Sequence, residues 1–278
     1  MTQSTPSIRN IAFIGAGNMT RSIVTGMCQQ AYPADHIMAS NPSPEKLQAL
    51  HNSLGILTTS SNYEAVNFAQ VIVLSVKPQL MQTVCADVSE HCDLSDKLII
   101  SIAAGITTAR LVEMLAGHQN IVRCMPNTPS AIGMGMSGLF ANAAVSDSDR
   151  EFSRYIMSQV GKTLWVDNES AINTVIAGAG SSPAYVFLFA QAMQEEVERM
   201  GLSTDDARTL VQQAIIGSAH MMESNSDLSL AELRNQVTSK GGTTHEAVQS
   251  LLADNLPDIV AKAMRAAVAR AEQMSSQF

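Results

Sequence analysis

Ile11-Ala12-Phe13-Ile14-Gly15-Ala16-Gly17-Asn18-Met19-Thr20 decides the fold. Four apolar, strand-forming residues run into a G-x-G-x-x-T turn, and residues 19–30 then repeat apolar positions at helical spacing. A glycine pair at such a strand-to-helix turn lets backbone N–H groups approach a pyrophosphate, where the first turn of a helix favours negative charge. Thr20 stands in place of the usual third glycine or alanine, so helix and strand are expected to pack slightly farther apart. A purely structural glycine turn has the same local spelling, but the motif opens a strand-helix-strand unit, which favours the nucleotide.

Outward from this turn the first half alternates. Strands are expected at residues 8–14, 36–40, 71–76, 98–102, 121–124 and 135–140, with a second helix over 44–52. Short apolar strands without strict alternation indicate a parallel sheet covered on both faces, hence an α/β, Rossmann-like doubly wound domain. The second strand ends in Ala39-Ser40-Asn41-Pro42, where an NAD site usually places an acid for the ribose hydroxyl. Hydroxyl and amide groups there accommodate a 2′-phosphate, which favours NADPH while leaving NADH open; the nearest cation is Lys46. Val76-Lys77-Pro78 and Met125-Pro126-Asn127-Thr128-Pro129 fall at the sheet edge where ligands bind in this architecture, although rigid strand-end turns read the same way.

The chain has 278 residues, enough for two domains, expected at 1–166 (dinucleotide-binding) and 167–278 (all-helical). With 46% hydrophobic and 15% charged residues it is globular, and a net charge of −8 argues against nucleic acid or an anionic membrane as partner. Residues 1–10 are polar and lack the apolar run of a signal peptide, so a cytoplasmic protein is expected. The longest apolar stretch, residues 184–193, is shorter than the roughly 20 residues of a membrane span and reads as a buried helix. Cys28, Cys85, Cys92 and Cys124 show neither disulfide nor zinc spacing, so no metal is expected; Met221 and Met222 read as core.

Beyond Trp165 the strand signals stop. Ser182-Pro183 reads as a cap followed by proline at the first helical position, with Gly201 closing that helix. Ser203 with Asp206 and Ser229 with Glu232 start two more helices, and an alanine-rich one spans 257–274. These helices carry more apolar surface than a lone domain hides, so an all-α oligomerisation domain is expected. Within it, Thr238-Ser239-Lys240-Gly241-Gly242-Thr243-Thr244 leads into a helix that Thr243 and Glu246 would cap. Hydroxyls, flexible backbone and a helix N-terminus together suit a small carboxylate, while an ordinary capped helix fits the same spacing.

Phe13-Ile14-Gly15-Ala16-Gly17-Asn18-Met19, Val76-Lys77-Pro78-Gln79, Ser101-Ile102-Ala103-Ala104-Gly105, Met125-Pro126-Asn127-Thr128-Pro129, Ser182-Pro183-Ala184-Tyr185 and Ser239-Lys240-Gly241-Gly242-Thr243-Thr244 together resemble pyrroline-5-carboxylate reductase. The motifs occur in order over nearly the whole chain. The resemblance implies reduction of the cyclic imine 1-pyrroline-5-carboxylate to L-proline with NADPH or NADH. It also implies a homodimer through the helical domain, assembled in some relatives into larger rings such as a decamer. By position, Gly15, Gly17, Asn18 and Met19 match the pyrophosphate loop, Ser40 and Asn41 the adenosine ribose, and Val76, Lys77 and Pro78 the cofactor's flank. Ala103, Ala104, Gly105 and Asn127 match the nicotinamide surroundings. Gly241, Gly242, Thr243 and Thr244 match the carboxylate loop, with Thr244 beside the imine nitrogen as catalytic hydroxyl and Ser239 next to it. Lys77, His245 and Tyr185 are weaker acid candidates. Two departures stand out: Lys240 where many relatives have proline, and Pro42 where relatives often have arginine.

Two other classes compete. A β-hydroxyacid dehydrogenase also joins such domains but relies on a lysine early in the helical half, and none occurs between Lys162 and Lys240. A non-catalytic NADP-binding regulator would bind nucleotide without turnover, and the intact hydroxyl-glycine loop speaks against it.

Overall fold

The computed structural model describes residues 6–277, so the start of the polar N-terminal stretch lies outside the described residues. Eight strands form one sheet: β1 Ile11–Ile14, β2 Ile37–Ser40, β3 Leu57–Thr59, β4 Val71–Leu74, β5 Leu98–Ser101, β6 Ile121–Met125, β7 Gly135–Ala141 and β8 Gly161–Trp165. Their order is β3-β2-β1-β4-β5-β6-β7-β8, parallel through β6, and it reverses direction between β1 and β4. In open α/β sheets that reversal is where ligands bind.

Successive side chains of a strand point to opposite faces, and this sorts the core into two layers. Ile11 and Phe13, Val71 and Val73 pack on one face; Ala12 and Ile14, Ile72 and Leu74 pack on the other. Both faces are dry, which is why these strands read as continuous apolar runs. Helices α1 Asn18–Gln29, α2 Pro44–Leu54, α3 Asn62–Phe68, α4 Pro78–His91, α5 Thr108–Met114 and α6 Asp147–Ser158 are interleaved with the strands. Cys85 and Cys124 are buried and all four cysteines are free; burial pushes the Cys85 and Cys124 thiols up to about 12, so neither supplies a thiolate at neutral pH.

The sheet departs from the expected all-parallel form at one place. β7 runs antiparallel to β6. A parallel return needs a crossover of about a dozen residues or more, and residues 126–134 form only a short 3-10 turn, Thr128–Ile132, so the chain doubles back. The two missed strands, β3 and β8, are the edges, short or carrying polar residues on a half-exposed face.

The helical half comprises α7 Ala171–Val175, a π-helical turn Ile176–Gly180, α8 Ser182–Arg199, α9 Thr204–Ser224, α10 Leu230–Gln236, α11 Thr243–Ala253 and α12 Leu256–Gln277. Ser182-Pro183 opens α8 but not as a fresh, capped start: one helical run extends over Ala171–Arg199, and Ser181, just ahead, already has helical φ and ψ. The π turn widens the helix there and relieves the crowding that a proline imposes on the preceding turn. Ser203 and Ser229 do cap α9 and α10, the latter in a full capping box with Glu232.

Two compact units emerge, one extending to Ser181 and taking in the chain from Ala267 onward, the other Ser182–Ala266. In the first, α7 and the end of α12 pack together through Ile172, Ile176 and Ala271. In the second, Ala207 and Val211 are the buried apolar side chains among the described residues. The expectation of a buried helix over 184–193 is therefore corrected. α8 buries no residue in the single chain, Phe187 and Leu188 are each 68% exposed, and Met221 and Met222 are nearly half exposed. The run Ala171–Arg199 also has the length and apolar content of a membrane span, which the shorter stretch visible in the sequence did not suggest.

Candidate active site

Gly15 sits at the switch point with φ 110, a left-handed conformation that only glycine adopts freely. A Cβ there would lie 2.8 Å from the Ser75 carbonyl oxygen, so the two strand ends approach as closely as backbone allows. The turn is then laced from three sides. Gly15 N–H donates to Ser40 O (2.8 Å) and Ala16 N–H to Asn41 Oδ1 (3.2 Å). The Thr20 and Ser75 hydroxyls both reach Gly15 O, at 2.7 and 2.9 Å. Thr20 thus occupies the third glycine position without opening a gap: it is fully buried and ties the first turn of α1 back to the loop.

Gly17 is the N-cap of α1, with no side-chain cap and nothing within 4 Å of where a Cβ would stand. No side chain caps the first turn, to which Asn18 and Met19 belong, and the space beside Gly17 is open. A pyrophosphate fits such a cradle, with no side chain in the way and a converging set of backbone donors. Of the other positions expected near the nucleotide, Lys77 is exposed and serves as N-cap residue of α4, with Pro78 at its first position and Val76 half-buried behind. Ser40 is fully buried, and its hydroxyl donates to Asn62 Oδ1 (2.7 Å), so it braces the end of β2 from inside.

Ala103, Ala104 and Gly105 follow β5 at the same sheet edge. Gly105 has φ 77, and a Cβ on it would meet Met274 Cβ at 2.6 Å, so the end of α12 lies directly on this turn. Asn127, at the end of β6, is buried and committed: its Nδ2 donates to Ala179 O (3.0 Å) and its Oδ1 accepts from Met136 N–H (2.9 Å). It ties the π turn to the strand ends.

In the second unit, residues 239–242 form a tight turn closed by Gly242 N–H to Ser239 O (3.0 Å), with Gly241 at φ 76. The expected capping box is corrected here: Gly242, not Thr243, is the N-cap of α11, and no side chain caps it. Thr243 is already helical, so its hydroxyl is one position too late to satisfy the first turn. Ser239, Thr243 and Thr244 are exposed, and a Cβ on Gly242 would strike the Ser239 hydroxyl at 2.8 Å. α3, α5, α6, α9 and α10 all have a serine or threonine cap accepting an N–H. The two glycine-led starts, α1 and α11, keep theirs free.

The family model for pyrroline-5-carboxylate reductase dimerisation matches residues 169–274, and that for NADP oxidoreductase, coenzyme F420-dependent, matches 10–105. The pyrroline-5-carboxylate reductase of Vibrio alginolyticus is 53% identical over 97% of this chain and 99% of its own. The chain belongs to the pyrroline-5-carboxylate reductase family. Like its relatives it reduces 1-pyrroline-5-carboxylate to proline with a nicotinamide cofactor, the proline-forming step of biosynthesis. The Coxiella burnetii reductase structure superimposes with TM-score 0.91 at 39% identity, covering 97% of this chain and 99% of that one. That of Plasmodium falciparum, solved with NADP bound, gives 0.87 at 28%, covering 97% and 99%. What the sequence reading missed in this reductase is Thr20's hydroxyl bond, the bracing Asn62 and Ser75, and the π turn. Only the last left a local signal, the small-residue run Ala177-Gly178-Ala179-Gly180.

Proposed function

We propose that residues 1–166 hold NADPH in preference to NADH and that residues 167–278 carry the substrate loop and the contacts between copies. The free glycine-capped start of α11 carries the substrate half of this reading. Its first-turn N–H groups, Gly241 and Gly242 and the Thr243 hydroxyl receive the carboxylate of 1-pyrroline-5-carboxylate, at the positive end of the helix dipole.

On the cofactor side, the amides of residues 15–19 hold the pyrophosphate, Asn41 with the Ser40-Asn62 pair borders the adenosine ribose, and Val76, Lys77 and Pro78 flank it. Ala103, Ala104, Gly105 and Asn127 border the nicotinamide. When bound, the reduced cofactor supplies a hydride to the imine carbon. The protein's own part is to orient and to manage one proton. Thr244, exposed at the second position of α11, hydrogen-bonds the imine nitrogen: it holds a proton already present, or relays one from water. Ser239 shapes the loop beside it and offers a second hydroxyl. Positioning supplies most of the acceleration, since no covalent intermediate is needed.

The exposed helices of the second unit support a homodimer, extended in some assemblies to a ring such as a decamer. The dimerisation match over residues 169–274 supports another copy, not a bilayer, as the cover of α8. A cytoplasmic setting goes with four free cysteines. Thr244→Ala tests the central assignment: kcat should fall by about 10²-fold while the NADPH dissociation constant, read from nicotinamide fluorescence, stays within about twofold. Turnover at the wild-type rate would remove Thr244 from the mechanism.

A further inference from the structure

Arg123 lies in the middle of β6, 2% exposed, between the buried Val122 and Cys124. Burying a guanidinium is costly unless it is paired, and its partner is distant in sequence: Nη1 donates to Glu169 Oε1 at 3.1 Å. The same carboxylate accepts two further bonds, from Thr108 N–H (2.7 Å) to Oε1 and from the Thr108 hydroxyl (2.8 Å) to Oε2. Three donors therefore converge on Glu169.

Thr108 is the first residue of α5, and the segment it closes is the turn that begins at Ala103. Upstream, that turn hangs from Ile102 N–H to Leu74 O and a long 3.4 Å bond from Ala103 N–H to the Ser101 hydroxyl. Downstream, Thr108 ties the far end of the turn to Glu169, while Met274 of α12 lies against Gly105. Glu169 in turn sits just ahead of α7, whose π turn is tied to the neighbouring strand end by Asn127. One carboxylate thus joins the interior of the sheet, the start of α5 and the entry to the long helix.

We infer that Glu169, held by Arg123, is a positioning residue for the reaction: it fixes the Ala103–Gly105 turn against which the nicotinamide is aligned. This rests on the reading that the turn borders the nicotinamide. Glu169 touches neither substrate nor cofactor in this role. Its effect is on the fraction of bound complexes that are aligned for hydride transfer, which is steep in distance.

Glu169→Gln removes the charge that pairs Arg123 and leaves a single acceptor oxygen, so the Thr108 hydroxyl that donated to Oε2 must turn round and accept from the new amide N–H. In the full-length enzyme it should lower kcat about tenfold with the KM for 1-pyrroline-5-carboxylate unchanged. The primary isotope effect on kcat with 4-deuterated NADPH should rise as hydride transfer becomes the slow step. Thr108→Val, which removes one bond and keeps the ion pair, should move both readouts the same way by a smaller factor, and serves if Glu169→Gln does not fold. A wild-type kcat and isotope effect in the folded variant would overturn the proposal. So would a loss of kcat that matches the unfolded fraction by circular dichroism with the isotope effect unmoved. Ala104→Leu separates the two ideas, because it should weaken NADPH binding if the turn borders the cofactor. If Ala104→Leu binds and turns over normally, the reading of the turn fails and the positioning role with it; if Ala104→Leu is impaired and Glu169→Gln is not, the positioning role alone fails.

Discussion

At the scale of single residues, Gly15 and Gly17 look alike in sequence and do different work. Gly15 combines φ 110 with a Cβ position 2.8 Å from Ser75 O, so Gly15→Ala meets both backbone strain and a clash with main chain that cannot swing away. Strain of that kind costs about 1–3 kcal/mol, and the variant should unfold at lower urea as well as lose NADPH. Gly17 has φ −81 and open space around it. Gly17→Ala should therefore lose only the modest stability by which glycine exceeds alanine at an N-cap, less than Gly15→Ala, yet bind NADPH about tenfold more weakly, because the added methyl would enter the space proposed for the pyrophosphate. Equal destabilisation of the two variants would contradict this division. Thr20 adds a third term. Thr20→Val keeps the volume and removes the hydroxyl from Gly15 O, which the Ser75 hydroxyl still reaches, so a loss of about 1 kcal/mol in urea stability is expected.

At the scale of elements, the region ahead of β1 and α6 are fastened to each other by an ion pair whose pH dependence follows from its geometry. Burial alone would raise the Asp149 carboxyl, but Arg9 Nη1 at 2.5 Å and Asn120 Nδ2 at 2.9 Å outweigh it and hold the carboxyl below its ordinary value. A carboxyl depressed in the folded state contributes stability above its unfolded pKa and loses it as pH falls through the folded one. Urea stability should therefore decline as pH drops below about 4, and Asp149→Asn should flatten that acid limb while lowering stability at neutral pH. The same scale shows how far sequence carries. The central strands and the glycine turn were legible because each is written locally, in apolar runs and in residues that alone tolerate a given φ. β3 and β8 were not, since a half-exposed edge strand has neither a continuous run nor a clean alternation. The start of α11 was misassigned by one residue because Thr243 and Glu246 have capping-box spacing, whereas the αL turn at Gly241 places Gly242 at the cap; only three-dimensional geometry separates the two. Asn127 was expected as a site residue, but its bond to Ala179 bridges elements far apart in the chain, which no local pattern encodes.

At the scale of the whole molecule, the second unit has too little interior to stand alone. Its helices α8 and α9 pack on one another and leave a groove lined by Val186, Phe187, Ala190, Val211 and Ile215, while Phe187, Leu188, Leu210 and Ile259 remain more than half exposed. Apolar area of this extent on a folded chain marks an interface between proteins. In the homodimer proposed above, burying it against a like surface, at roughly 25 cal/mol per Å², would stabilise helices whose single-chain core is so small. Phe187→Glu places a charge at the middle of that surface without touching the nucleotide turn or the α11 loop. The variant should elute as a smaller species by size-exclusion chromatography with light scattering, and its helical signal should melt at lower temperature, because the helices lose the partner that covers them. The sheet domain keeps its own two-layer core, so NADPH binding should persist in the dissociated species. Retention of the wild-type mass by Phe187→Glu would mean that the contact between copies lies elsewhere on the helical half, and loss of NADPH binding together with the mass change would mean that the nucleotide site depends on the assembly.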